Sequence, residues 1–223
     1  MAGAPAPIRI DFVSDVSCPW CAIGLQALEQ AIARGGDDVA VELHFQPFEL
    51  NPQLPAEGED ALGHLAAKYG ISEQQARDNG EAIRARGAEL GFTFDMARRR
   101  HVWNTFDAHR LLHWAEVESL QKQRALKHAL LRAYFTEGEN VSDHAVLARL
   151  AAVAGLDETR AREILASDEH ADAVRERERH YTDSGIRAVP SVIFNQRHLV
   201  QGGQPVEVFE RALRQLASVP PAP

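Results

Sequence analysis

Cysteine is scarce in this sequence, and long apolar runs are missing from it. Only two of the 223 residues are cysteine. No uninterrupted apolar stretch approaches the roughly 20 residues of a transmembrane helix, so we expect no membrane span. The first residues, Met-Ala-Gly-Ala-Pro-Ala-Pro, lack the basic start and apolar centre of a signal peptide. We therefore expect a cytoplasmic protein, where a cysteine pair is more often catalytic or metal-binding than a structural disulfide.

Basic residues are also fewer than acidic residues in this sequence. The 24 lysine and arginine residues against 32 aspartate and glutamate residues give a formal net charge of −8. Nucleic-acid-binding surfaces are usually basic, so this balance argues against a nucleic-acid partner. The run Arg98-Arg99-Arg100 is a local exception. We interpret it as a solvated helix face, with contact to an anion as the alternative.

Motifs of several other enzyme classes are missing. The sequence has no Gly-rich phosphate loop, no H-E-x-x-H pair and no G-x-S-x-G elbow. Nucleotide, zinc-protease and serine-hydrolase chemistry therefore lack support. Two cysteines supply only half of a typical four-ligand structural zinc site, and we predict no metal.

Both cysteines lie in the motif Cys18-Pro19-Trp20-Cys21, at a predicted strand-to-helix junction. The preceding run, Ile8–Val13, alternates apolar and charged residues as a strand does. The segment Pro19–Arg34 is predicted as a helix, because proline suits a first turn and Gly35-Gly36 can end the last one.

This position suits thiol–disulfide chemistry. A thiol at a helix start meets unpaired backbone N–H groups and the positive end of the helix dipole, which stabilise a thiolate. We predict Cys18 as the exposed, acidified nucleophile and Cys21 as the buried thiol that forms or resolves a disulfide. Pro19 and Trp20 are the residues expected to tune the pair. The alternatives are half of an intersubunit metal site and two inert buried cysteines.

The order of elements predicts the fold. A second strand, Val39–Phe45, completes a βαβ unit, which beside a C-x-x-C motif is typical of thioredoxin-like proteins. From about residue 60 to residue 184 the pattern is almost wholly helical. A hairpin and a last helix follow: strands Ser191–Phe194 and His198–Val200 around a turn at Asn195-Gln196, then helix Val206–Leu216.

Without its helical block the chain has the order β-α-β, then β-β-α. We therefore predict the α/β class: a thioredoxin fold with a large all-helical insertion. The predicted divisions are 8–55 for the N-terminal part of the fold, 56–167 for the insertion and 168–217 for the C-terminal part. Residues 1–7 are predicted to be disordered.

Capping signals divide the helical block. Ser72-x-x-Gln75 has the pattern of a capping box. The other predicted helix signals are Asn104-Thr105 before Phe106–Val117, Lys122–Phe135 before Gly138, Ser142 before Val146–Val153, and Ser167 before Glu169–Asp183.

Two further features have both a structural and a functional interpretation. Trp103, Phe106 and His109 share one helix face, which is typical of a core stripe but also of a groove wall over Cys18. Val189-Pro190 precedes a strand, where proline either stops the helix before it or forms a cis peptide opposite the cysteines. A cis X–Pro bond costs only ~0.5–1 kcal/mol over trans. We favour the cis peptide because the cysteine motif is present.

In combination, these segments resemble the DsbA-like thioredoxin-fold proteins and, within them, the FrnE-like dithiol–disulfide oxidoreductases. More distantly, the chain is similar to 2-hydroxychromene-2-carboxylate isomerases and kappa-class glutathione transferases. The resemblance extends from Ile8 to about Leu216. Its matching segments are Phe12-x-x-Asp15-x-x-Cys18-Pro-Trp-Cys21, Asn104-Thr105-x-x-Ala108-His109-Arg110, Val189-Pro190-Ser191-x-x-Phe194 and Gly202-Gly203-Gln204.

The resemblance implies a redox pair at Cys18 and Cys21 and a cis peptide at Val189-Pro190. It also implies a substrate groove roofed by the helical insertion and bordered by Asn104 and His109. The implied partners are protein or small-molecule thiols and disulfides, with glutathione as a plausible redox partner and no other cofactor.

Two departures from the relatives limit what the resemblance implies. DsbA itself has histidine where this chain has Trp20, and the isomerase and kappa-class relatives typically have serine where it has Cys18. Retention of both cysteines favours a cytosolic thiol–disulfide oxidoreductase or isomerase. Two alternatives stay open: a glutathione-dependent isomerase or transferase, and a redox-sensing holdase that binds peptides.

Overall fold

A four-stranded sheet forms the centre of the molecule in the computed structural model, which describes residues 7–36, 39–55 and 57–218. Strand β1 (Ile8–Ser14) pairs in parallel with β2 (Val41–Pro47) and antiparallel with β5 (Ser191–Phe194). Strand β6 (His198–Gln201) pairs antiparallel with β5 and forms one edge. The predicted α/β class and thioredoxin fold are confirmed. Apart from Pro7, the predicted disordered segment 1–7 lies outside the described residues.

Helices surround this sheet and fill the region between β2 and β5. None of them, within the described part of the chain, combines the length and apolar character needed to cross a membrane. Their bounds are α1 Pro19–Gly35, α2 Ala61–Tyr69, α3 Glu73–Glu89, α4 Phe106–Glu118, α5 Leu120–Arg132, α6 His144–Val153, α7 Glu158–Leu165, α8 Ala171–Asp183 and α9 Val206–Ala217.

Packing of helices against the sheet buries almost the whole of β1. Ile10 and Phe12 belong to the main core together with Leu25 and Leu28 of α1. Helix α9 packs beside α1 and contributes Phe209 to the same core. Each of these aliphatic or aromatic side chains stabilises the fold by about 1.5–3 kcal/mol when fully buried. Helix α1, and with it the cysteine motif, is thus fixed to the centre of the sheet.

Helix α5 attaches the helical region to the sheet through a buried glutamine. Strand β2 is an edge strand, so one row of its backbone groups has no partner strand. Gln123 satisfies both groups of Phe45: its Oε1 accepts from the Phe45 N–H (3.0 Å) and its Nε2 donates to the Phe45 carbonyl (2.9 Å). This contact fixes α5 against the sheet at strand β2. The domain boundaries after residues 55 and 167 stay predictions.

Only some of the predicted caps are confirmed. Ser72 and Gln75 form the reciprocal capping box at the start of α3. The prediction for Ser142 is wrong, because Asp143 caps α6 while the Ser142 hydroxyl donates to the carbonyl of Asn104 (2.5 Å). Ser167 does not cap α8 either, since that helix begins four residues later. The Ser167 hydroxyl instead donates to the carbonyl of Ile164 (3.1 Å), in the last turn of α7.

The interpretation of Arg98-Arg99-Arg100 as a helix face is also wrong. The run lies in a turn before a short strand, β4 (His101–Val102), which pairs with β3 (Glu59–Asp60). The Arg99 Nε donates to the Tyr134 hydroxyl (3.1 Å), and its guanidinium lies 5.2 Å from the centroid of that ring. Strands of two residues carry no periodicity, so this ribbon has no signal in the sequence.

The predicted helix Lys122–Phe135 is interrupted near its end. Helix α5 stops at Arg132, and a π-helical turn, Ala133–Glu137, leads to Gly138 in the left-handed conformation. A Cβ on Gly138 would lie 2.5 Å from the carbonyl oxygen of Arg98. Glycine is therefore required there both by the backbone conformation and by close packing.

Candidate active site

Cys18 occupies the position immediately before α1. Its backbone is extended (φ −93°, ψ 114°), and Pro19 is the first helical residue. The Cys18 carbonyl accepts hydrogen bonds from the N–H groups of Cys21 (3.1 Å) and Ala22 (3.3 Å). The first turn of α1 carries no acidic side chain, so nothing there offsets the positive end of the helix dipole. Both cysteines are present as free thiols.

The prediction that Cys18 is exposed is wrong. Its exposed fraction is 4 %, and Cys21 is fully buried as predicted. The Cys18 Sγ lies 3.7 Å from the carbonyl oxygen of Val189, so the segment before β5 covers the sulfur. The exposed member of the motif is Trp20, which keeps 44 % of its surface accessible. An incoming molecule therefore meets an indole at the surface directly beside a shielded thiol.

The Val189-Pro190 peptide bond is cis, as the resemblance implied. Gly24 of α1 allows the proline to approach, because a Cβ on that glycine would lie 2.9 Å from Pro190 Cγ. On the other side, the Pro190 carbonyl accepts from the N–H of Gly202 (2.8 Å). Pro190 is therefore held between the cysteine-bearing helix and the end of the β-hairpin.

Trp20 packs against the loop that follows β6. A Cβ on Gly203 would lie 3.1 Å from Trp20 Cε3 and 3.2 Å from the Trp20 carbonyl oxygen. A residue larger than glycine at position 203 would push Trp20 away from this loop. That Pro19 and Trp20 tune the thiols stays a prediction.

Burial and nearby charged groups both change the pKa of the Cys21 thiol. Burial raises the pKa of the Cys21 thiol well above its usual value, and the neighbouring Cys18 acts in the same direction. The charge of Lys127 and the backbone of Asp15 oppose this increase. Cys21 therefore stays protonated at neutral pH unless a group close by accepts its proton.

Asp15 is a buried carboxylate three residues before Cys18. Burial alone would raise its pKa, but His109 and hydrogen bonds from Leu50 and Thr105 lower that pKa to about 2. Its Oδ2 accepts from the Leu50 N–H (2.7 Å) and from the Ser17 hydroxyl (3.0 Å). The carboxylate therefore stays ionised at neutral pH and fixes the turn that presents Cys18.

His109 lies beneath the site rather than at its surface. The ring is buried, and its Nε2 lies 3.5 Å from Asp15 Oδ1. This distance is too long for a strong hydrogen bond, so the contact is mainly electrostatic. Asn104 is half-buried, and its side chain accepts from the Phe106 N–H (2.9 Å) at the start of α4. Substrate binding by Asn104 and His109 stays a prediction.

Two lysines near the thiols were not among the predicted site residues. Lys127 is buried on the inner face of α5, and its charge acts on both cysteines. Lys68 is exposed on α2, where its Nζ donates to the Leu50 carbonyl (3.0 Å) and to Asn51 Oδ1 (2.6 Å). A lysine four residues after Gln123 on an otherwise apolar helix face was the available signal for Lys127.

This combination of fold and site defines a protein class. The chain belongs to the family of DsbA-like thioredoxin domains, whose model matches residues 9–214. It is 28% identical over 207 residues to the uncharacterized protein YwbO of Bacillus subtilis, covering 92% of this chain and 96% of that protein.

Solved structures of similar fold support the family assignment. A probable DsbA oxidoreductase from Streptomyces coelicolor superimposes with a TM-score of 0.87 at 35% identity, covering 97% of this chain and 93% of the other. The cytosolic disulfide reductase DsbM from Pseudomonas aeruginosa, solved with GSH, has a TM-score of 0.63 at 16% identity, covering 95% of this chain and all of DsbM. The second likeness concerns the fold alone.

Proposed function

We propose that the protein is a thiol–disulfide oxidoreductase that uses Cys18 and Cys21 as its redox pair. The observation that carries this proposal is the position of the Cys18 thiol, at the start of α1 and 3.7 Å from the carbonyl oxygen of Val189. The sulfur precedes the first turn of α1, at the positive end of the helix dipole, and it adjoins the backbone of Val189. Membership of the DsbA-like family supports the same chemistry.

The reaction follows from the two thiols alone. The Cys18 thiolate attacks one sulfur of a substrate disulfide and forms a mixed disulfide, and the other substrate sulfur leaves as a thiolate. Cys21 then loses its proton and attacks the Cys18 sulfur, which releases the second substrate thiolate and leaves a Cys18–Cys21 disulfide. Two electrons pass from the protein to the substrate. In the oxidising direction the same steps run in reverse.

The surroundings of Cys18 favour an extended peptide or a small thiol as substrate. The backbone of Val189 adjoins the sulfur, and the indole of Trp20 offers an exposed apolar face beside it. Aromatic side chains of this kind bind peptide groups and apolar side chains at low cost in conformational entropy. Asn104 and His109, which belong to the helical side of the site, are proposed as residues that shape the groove.

The finer assignments follow from the same proposal. We place the protein in the cytoplasm, within the FrnE-like group, with glutathione as one redox partner. The cytosolic disulfide reductase DsbM was solved with GSH, and the shared fold makes glutathione a reasonable probe for this chain. Neither a metal nor a further cofactor enters the chemistry.

Reduction of insulin and of glutathione disulfide tests this function. The wild-type protein is expected to catalyse one or both reactions with dithiothreitol as the electron source. Cys18→Ser is expected to abolish turnover, because the remaining thiol, Cys21, is fully buried and does not meet the substrate disulfide. Full activity of Cys18→Ser would contradict the proposal.

A matched variant separates this function from the glutathione-dependent isomerase alternative. Dithiol exchange needs Cys21, whereas an isomerase that activates bound glutathione does not. Cys21→Ser is therefore expected to lose insulin reduction. Isomerisation of a 2-hydroxychromene-2-carboxylate that survives in Cys21→Ser would instead support the isomerase.

A further inference from the structure

Two histidines, His113 of α4 and His170 immediately before α8, lie in contact with each other. Their ring centroids are 5.2 Å apart, and the ring planes are inclined by 57°. Both residues are only partly accessible. Each has one buried ring nitrogen, Nδ1 of His113 and Nε2 of His170, without a hydrogen-bond partner among the residues that the structure describes. A protonated imidazole is a donor at both nitrogens, so neither ring can be charged here without leaving a buried donor unpaired.

The groups around His113 do not compensate a positive charge on its ring. Glu116, one turn later on α4, is already paired through both oxygens, with His44 of β2 (2.8 Å) and Arg177 of α8 (2.6 Å). The cavity that His113 shares with His109 and Arg177 has a volume of about 10 Å³, close to the smallest that holds one water. Burial lowers the pKa of His113, and the charge of Arg177 lowers it further.

The charged groups around His170 are also paired already. Its Nε2 lies 3.4 Å from Oε1 of Glu169, but that oxygen accepts a hydrogen bond from Arg160 of α7. From α4, Arg110 donates through Nε to the Glu169 carbonyl (2.9 Å). Burial lowers the pKa of His170. The charges of Arg160 and Arg110 act in the same direction, and the charge of Glu169 opposes them.

His170 also determines the backbone at the start of α8. Its φ of 64° lies in the left-handed region, which few residues other than glycine adopt. The His170 side chain does not cap the helix, so it makes no hydrogen bond to the first turn. A backbone of this kind persists only where its surroundings hold it, and the contact with His113 is part of those surroundings.

We propose that His113 and His170 form an acid-sensitive latch that holds the start of α8 against α4. With both rings neutral, they pack together and the latch is closed. A proton on either ring places a charge beside the other histidine and beside an arginine, so the rings separate and their nitrogens reach water. This regulatory role goes beyond the proposed redox function and does not depend on it.

Helix α8 connects the latch to the thiol site. Arg175, in the second turn of α8, pairs with the buried carboxylate of Glu49. The next residue in the chain, Leu50, donates its N–H to Asp15 (2.7 Å), which fixes the turn that presents Cys18. Opening of the latch is therefore expected to loosen the support of that turn from the helical side.

The direction of the pH effect follows from the neutral rings of the closed form. A histidine that reaches water takes up a proton near pH ~6.5, whereas in the closed latch it does so only at lower pH. Acid therefore favours the open form. The opening equilibrium is expected to rise by up to about tenfold per pH unit for one released histidine, and by up to about 100-fold for two. This range lies above the acidic range in which Asp15 acts.

Hydrogen exchange at the start of α8 tests the latch. Mass spectrometry follows backbone amides of residues 168–178 at several pH values, with each time course corrected for the intrinsic pH dependence of exchange. Between pH ~6.5 and pH ~5.5, wild-type protection here is expected to fall by about 10- to 100-fold. Protection in α1 and α5 is expected to stay constant. Constant protection of residues 168–178 over this range would overturn the inference.

A double variant, His113→Gln with His170→Asn, removes both titrating rings. Asparagine suits the left-handed backbone at position 170. Protection of residues 168–178 is expected to change by less than about threefold between the two pH values. A purely structural role would alter protection at every pH without altering this pH dependence. A double variant that keeps the wild-type pH dependence would overturn the inference.

His198→Asn is the matched control, because His198 is exposed on the edge strand β6. Its exchange profile is expected to match that of wild type at each pH. Should the double variant fail to fold, His170→Asn alone is the second variant. Its protection is expected to fall by no more than about tenfold per pH unit, because one histidine is left to titrate. A fall as steep as in wild type would exclude His170 from the latch.

Discussion

The thiol of Cys18 lies 3.7 Å from the backbone carbonyl of Val189, although 171 residues separate the two along the chain. The register of the sheet brings them together, because Val13 at the end of β1 pairs with Ser191 at the start of β5. The segment after β1 carries Cys18, and the segment before β5 carries Val189. A substrate sulfur that reaches Cys18 therefore meets the backbone carbonyl of Val189 at the same point.

Cys21→Ser should trap covalent intermediates. Without the resolving thiol, a mixed disulfide between Cys18 and a substrate has no intramolecular route to release. Incubation with glutathione disulfide is expected to add one glutathione per chain, detected by intact-protein mass spectrometry and lost on reduction. Cys18→Ser is the matched control and is expected to stay largely unmodified, because Cys21 is fully buried. Equal labelling of both variants would show that Cys18 is not the accessible nucleophile.

Gly24→Ala is expected to destabilise the protein and slow disulfide exchange. Alanine ordinarily stabilises a helix interior relative to glycine by about 1 kcal/mol. Here the new Cβ would lie 2.9 Å from Pro190 Cγ, so either α1 or the Val189-Pro190 segment must move. Such overpacking costs typically 1–3 kcal/mol. Urea unfolding measures the stability, and insulin reduction measures the exchange.

Gly80→Ala supplies the control for this substitution. Gly80 lies within α3, and its added Cβ would find only an ordinary contact, 3.8 Å from Met96 Cγ. This variant is expected to be as stable as wild type or more so, with unchanged exchange. A Gly24→Ala protein that gains stability as Gly80→Ala does would contradict the packing described for Pro190.

Asp15 should make stability depend on pH in the acidic range. Its pKa is lowered to about 2 in the folded protein, from 3.8. As pH falls, the unfolded chain binds this proton first, so the stabilisation is present above pH ~4 and disappears between about pH 4 and pH 2. The loss amounts to about 2 kcal/mol. We expect the difference in unfolding free energy between wild type and Asp15→Asn to shrink by this amount on acidification. A difference that is constant across this range would show that the carboxylate is not stabilised as described.

Gln123→Ala should be strongly destabilising for a single polar substitution. It leaves the N–H and the carbonyl of Phe45 buried without their partners, at about 1–3 kcal/mol for each group. Urea unfolding is expected to show a loss of about 3 kcal/mol. Lys122→Ala, at the neighbouring, partly exposed position, is expected to change stability by no more than about 0.5 kcal/mol. Similar losses in both variants would argue against the role of Gln123 at the sheet edge.

Local patterns were sufficient to predict the fold and the place of the two cysteines in it. Alternation in Ile8–Val13, the glycines after α1 and the position of the C-x-x-C motif all depend on residues close in sequence. The same is true of the capping box at Ser72, where both partners lie within one turn. Contacts between residues that are close in sequence can be predicted from the local sequence pattern.

Features that depend on distant contacts were missed or predicted wrongly. Cys18 is covered because Val189 reaches it through the sheet register, which no local pattern encodes. The β3–β4 ribbon consists of two-residue strands, and the choice of Asp143 over Ser142 as a cap depends on the contact of Ser142 with Asn104. Lys127 shares a helix face with Leu130 and Leu131 in the sequence, but its burial depends on the packing of α5 on β2, which no local pattern encodes.

The reduction potential of the Cys18–Cys21 pair tests the central claim most directly. The protein is equilibrated with mixtures of reduced and oxidised glutathione, and its disulfide content is measured by mass spectrometry after acid quenching. We predict a single two-electron transition with a potential between about −120 and −270 mV, the range of catalytic thioredoxin-fold pairs. A protein that forms no Cys18–Cys21 disulfide at any glutathione ratio would contradict the claim that these thiols are a redox pair.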